Sequence, residues 1–85
     1  MNVKKLEAAA RAVMAEHADE IARIQADLGN CEVPAQRSIN AGFARMGINR
    51  FPAGKDDLWE MITDLQNGWE YERPPVRLID RWMRY

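Results

Sequence analysis

Twenty-six consecutive residues without glycine or proline, carrying one apolar stripe at helical spacing, constrain this chain more than any other feature. At 100° per residue Val3, Leu6, Ala10, Val13, Met14, His17, Ile21, Ile24 and Leu28 fall within an arc of about 100°. Gly29-Asn30 follows, a good helix stop because glycine supplies the left-handed cap. The spacing predicts one helix over residues 3–28, roughly 39 Å long at 1.5 Å per residue. Off the stripe lie seven alanines, which favour helix and let neighbours approach closely. From Ala10 to Leu28 the apolar steps alternate four and three, as in a coiled-coil seam. Two readings stay open: a core helix packed on its own chain, or a self-pairing helix with Met14, His17, Ile21, Ile24 and Leu28 as a homodimer seam.

Three shorter helices are expected after it. Pro34 suits a first turn and Gly47 an end. Between them Ala35, Ile39, Gly42, Phe43 and Met46 share a face, opposite Arg37, Asn40, Ala41, Ala44 and Arg45. Pro52 and Gly54 mark a loop over 48–55. Asp56 or Asp57 starts the next helix, which buries Leu58, Met61, Ile62 and Leu65, carries Trp59 on its flank, and closes at Gly68. Pro74-Pro75 leads into a last segment over 76–85. There Val76, Leu78, Ile79, Trp82, Met83 and Tyr85 oppose Arg77, Asp80, Arg81 and Arg84. The fold class expected is therefore all-α: a single small four-helix domain with one long N-terminal helix. Of 85 residues 47% are apolar, but 12 of those are alanine, so the core is sparse and dimerisation would add buried area.

The net charge of −1 conceals sorting. Residues 1–32 sum to −2, 33–55 to +4, 56–72 to −6 and 73–85 to +3. Such blocks either hold a folded chain together or present signed faces to a partner.

Catalytic chemistry finds little footing. His17, the only histidine, could act as a general base or a pH-sensitive interface residue, but its place mid-stripe suits packing. Cys31 is the only cysteine, so an intrachain disulfide and a cysteine-built metal site are excluded. The acids of 56–72 lack the calcium-loop pattern and read as a solvated face. No phosphate-cradling glycine loop occurs, and Ser38 has no activating neighbours in sequence. The chain is expected not to be an enzyme and to need no cofactor or metal. With neither an apolar leader nor an 18-residue apolar run, it is expected to be cytoplasmic and not a membrane protein.

Binding remains. Trp, Tyr and Arg dominate interface hot spots, and Met gives adaptable contact. The partner face is expected from Arg37, Asn40, Arg45, Arg50, Trp59, Arg77, Arg81 and Arg84. Small proteins without site chemistry are of the kind that mobile elements encode to block host complexes. The specific expectation is a protein-binding inhibitor, such as a phage anti-CRISPR. The rival is a DNA- or RNA-binding regulator gripping phosphates through Arg37, Arg45, Arg50 and the C-terminal arginines. Against it, the slight net acidity and the acidic helix that follows would repel a nucleic acid.

Overall fold

The stripe over residues 3–28 folds as two helices, not one. A computed structural model describes residues 2–30, 34–48 and 55–83. In it α1 (Val3–Glu16) and α2 (Ala18–Asn30) meet at His17, whose φ of −128° and ψ of 36° leave the helical region. Three more helices follow: α3 (Ala35–Arg45), α4 (Lys55–Gln66) and α5 (Val76–Trp82). No strand occurs among the described residues. The expected four-helix layout with one long rod is therefore corrected to five helices among the described residues.

The break follows from packing, because no residue near it is a helix breaker. A rod over residues 3–30 would measure about 42 Å at 1.5 Å per residue. The longest principal dimension of the molecule is 35 Å. Bending lets α1 lie chiefly along α4 while α2 lies along α3. His17 N–H still donates to Val13 O at 2.8 Å, and Ile21 N–H donates to His17 O at 3.0 Å. The bonds given up are those that the amides of Ala18, Asp19 and Glu20 would make in a continuous helix. Asp19 and Glu20 then occupy the first turn of α2, where acids suit the helix dipole.

One apolar cluster joins the helices. Leu6, Ala10, Ile24, Phe43, Leu58, Met61 and Ile62 are fully or almost fully enclosed within it. Val13, Met14, Leu28, Ile48 and Leu65 pack half-buried against its margin. Trp59 meets Phe43 edge-on at 6.3 Å between ring centroids, and Trp69 lies at 6.3 Å from Trp82 in a tilted pair. The approach of α2 to α3 depends on Gly42, since a Cβ there would run into Cγ1 and Cδ1 of Ile24. Ile21 and Ile24 thus spend their apolar surface within the chain.

Two glycine stops end α3 and α4 in the same way. Gly47 (φ 77°) donates to Ala44 O while Ile48 donates to Phe43 O. Gly68 (φ 98°) donates to Leu65 O while Trp69 donates to Asp64 O. These paired bonds form the Schellman motif, whose left-handed residue glycine adopts without steric cost. The second stop carries the chain from α4 into the core through Trp69. No described helix is long and apolar enough to cross a membrane.

Candidate functional site

The sorted charges meet within the fold at two hydrogen-bonded places, besides an exposed Lys4–Glu72 pair at 3.9 Å, and the outer face of α3 stays exposed. The first place is Asp64 on α4, which is only 2% exposed. Arg81 Nη1 donates to Asp64 Oδ1 at 2.9 Å and to Oδ2 at 2.7 Å, and Trp82 Nε1 donates to Oδ2 at 2.6 Å. Glu60 stands 4.0 Å from Arg81 Nε. The hydrogen bond to Asp64, reinforced by its charge, raises the Arg81 pKa further above its already high ordinary value. A buried carboxylate needs such partners, because an unpaired charge out of water is costly. Arg81, with Trp82 beside it, thereby fastens the seven-residue α5 to α4.

The second place joins α2 to α3. Arg45 Nε donates to Glu20 Oε2 at 2.7 Å, and Arg23 Nη1 stands 3.7 Å from Glu20 Oε1. The hydrogen bond from Arg45 lowers the Glu20 pKa below the ordinary 4.5, partial desolvation opposes it, and the positive charges of Arg45 and Arg23 assist. A lowered carboxylate pKa means that the folded chain holds the ionised form better than the unfolded chain does. The resulting stabilisation is present above pH 4.5 and is lost as pH falls through the lower folded value. In a carbon-detected NMR titration the Glu20 carboxyl should show a midpoint below 4.5. Arg45→Ala should bring that midpoint back toward 4.5, and an unchanged midpoint would remove Arg45 as the cause.

The other expected contact residues divide clearly. Trp59 is 9% exposed and belongs to the core, so the expectation of a surface anchor there is corrected: its flank position faces Phe43 on α3. Arg77 Nη2 donates to the Asn67 carbonyl, tying α5 to the turn after α4. Arg50 and Arg84 lie outside the described residues, as does Cys31. On α3, Gln36, Arg37, Asn40, Ala41, Ala44 and Arg45 are all exposed. Gln36 Nε2 donates to Asn40 Oδ1 at 3.0 Å, while Arg37 has no ion pair among the described residues. Ser38, on the opposite side, is buried and donates to Asp27 Oδ2 at 3.2 Å.

Of the expected seam, Ile21 and Ile24 are buried within the chain, and Met14 and Leu28 are half-buried. His17 is half-buried at the bend, with Nε2 3.8 Å from Glu16 Oε2, a pair that is ionic only when the imidazole is protonated. An open notch of about 400 Å³ lies at this bend, lined by residues 15–20. Among the described residues no group of three or more His, Cys, Asp or Glu side chains could hold a metal ion.

Asp64 and Glu20 escaped the sequence reading. Asp64 lies only about 60° from Met61 on a helical wheel, which is the one signal that could have placed it at the core margin. For Glu20 the fold itself supplies the partner. Comparison of the chain with protein-family models, with curated proteins and with solved structures finds no match.

Proposed function

We propose that this chain is a non-enzymatic binding module that grips an acidic protein surface with the outer face of α3, centred on Arg37 and Asn40. The observation that carries the reading is Arg37 itself. It is exposed and has no ion pair among the described residues, on a face of small and polar side chains, whereas Arg45 and Arg81 are already held by Glu20 and Asp64. Ala41 and Ala44 keep that face low, so a partner can reach the backbone of α3 closely. A cation on such a face steers encounter with an acidic patch and selects among partners. Inhibition of a host complex, as by phage-encoded blockers, is the specific form of this reading.

The nucleic-acid reading draws on the same arginines and is weakened by their engagement. With Arg45 and Arg81 neutralised locally, Arg37 is the guanidinium of α3 without an ion pair among the described residues, where a phosphate grip uses several. The test is capture from lysate on the immobilised chain, with and without nuclease, alongside Arg37→Glu. A bound protein should survive nuclease, and charge reversal at Arg37 should weaken its binding about tenfold or more. Material that vanishes with nuclease would promote the nucleic-acid reading. Capture indifferent to Arg37→Glu would reject the α3 face.

A further inference from the structure

The joint at His17 is a bend in a sequence built to be straight. No glycine or proline lies between residues 3 and 28, and the residues flanking His17 include Met14, Ala15, Glu16 and Ala18, all good or acceptable helix formers. The apolar steps keep their three–four alternation through the joint, from Ala10 and Met14 to Ile21, Ile24 and Leu28. Only His17 departs from helical angles, and its own amide and carbonyl retain helical bonds on either side. The amides of Ala18, Asp19 and Glu20 make no hydrogen bond to the described residues, so straightening would give each an acceptor one turn back. Local preference and tertiary packing therefore pull in opposite directions at one residue.

The packing is itself divisible at that residue. α1 lies chiefly along α4, and α2 chiefly along α3, with fewer contacts between the two pairs. α1 is also tied to the turn after α4, where the Tyr71 amide donates to Glu7 Oε1 at 3.2 Å. Straightening within one chain would lift α1 off α4 and expose the apolar groups between them. A second copy, straightened in the same way, presents the identical complementary surface.

We propose that His17 is a hinge through which two copies of this chain exchange their first helices. In that dimer residues 3–30 of each chain form a continuous helix, and α1 of one chain docks on α4 of the other. The exchange is reciprocal and closes with two-fold symmetry, so it does not propagate into fibres. The packing of α1 on α4 is kept, now between chains, and each chain gains the three helical bonds at its hinge. The dimer also carries the outer face of α3 twice, which would allow simultaneous engagement of a repetitive partner. The inference does not rest on what α3 binds.

Refolding from denaturant at high protein concentration, followed by sedimentation, is the test. Wild type should give a dimer beside the monomer. His17→Ala should dimerise about 30-fold more tightly than His17→Gly, because alanine favours helix about fivefold over glycine and two hinges straighten per dimer. Spin labels at Lys5 and Ala26, on a Cys31→Ser background diluted with unlabelled chain, report the hinge directly. Twenty-one helical steps place those Cα atoms about 32 Å apart when straight, and closer in the bent monomer. A dimer whose intrachain distance matches the monomer would be a side-by-side pair and would overturn the exchange. So would a purely monomeric His17→Ala, or equal dimer affinities for the alanine and glycine variants.

Discussion

Arg81→Ala should lower the unfolding free energy by about 3 kcal/mol, far more than an arginine that is half exposed would ordinarily contribute. Exposed ion pairs are worth about 0.2–1 kcal/mol, because water solvates both partners once they separate. Asp64 changes that comparison, since it is 2% exposed and stays enclosed when its cation is removed. Breaking a buried pair by deleting one partner costs about 3–5 kcal/mol. The lower end applies here because the Arg81 side chain keeps 48% of its exposure and Trp82 Nε1 still donates to the carboxylate. A domain of this size has about 4–13 kcal/mol in total, so the loss is a large share. Thermal unfolding should fall by about 12–24 °C. Asp64→Ala should do similar damage, Asp64→Asn less because an amide oxygen still accepts, and the double variant Asp64→Ala/Arg81→Ala should fall well short of the sum. A coupling energy under about 1 kcal/mol in urea titrations would mean that the pair behaves as a surface bridge.

The second large effect is expected at Ile24→Glu, with a loss of about 4 kcal/mol or more and a mainly unfolded chain at room temperature. Ile24 is fully enclosed and lies directly over Gly42, so a carboxylate there would shed its water or force α2 off α3. Arg45 stands nearby but is already held by Glu20. Ala22→Glu and Ala26→Glu place the same side chain on the exposed side of α2 and should change stability by no more than about 0.5 kcal/mol. Equal effects at 22, 24 and 26, measured by chemical denaturation, would contradict the placement of the stripe.

These two positions illustrate what could and could not be read from residue order. Ile24 was legible because Ile21 and Leu28, three residues before it and four after, continue the same apolar stripe. Two of the three glycine stops were legible too: Gly47 and Gly68 have positive φ, whereas Gly29 lies within α2, which runs on to Asn30, and Pro34 directly precedes the first helical residue of α3. The bend at His17 was not, since the local sequence favours continuing the helix and only the docking of α1 and α2 on different partners opposes it. The inward turn of Asp64 was hidden for a related reason. Acids in a helix usually face water, and the groups that hold this one inside lie 17 and 18 residues further on. Trp59 joined the core because α3 presents Phe43 to its flank, a neighbour that periodicity within α4 cannot reveal. On α3 the exposed polar face emerged as expected, but which of its arginines the fold itself would occupy depended on α2.

The pairing of the helices also sets an order of assembly. α2 and α3 are neighbours in sequence, so their contact closes a short stretch of chain and costs little loop entropy. α1 must instead wait for α4, on the far side of that hairpin, and the turn at Tyr71 is then pinned when its amide donates to Glu7 Oε1 at 3.2 Å. Early structure accordingly favours the middle of the chain, and its first helix is the last major piece to find its place. On a ribosome, α1 would emerge first and remain without its principal partner until α4 had followed.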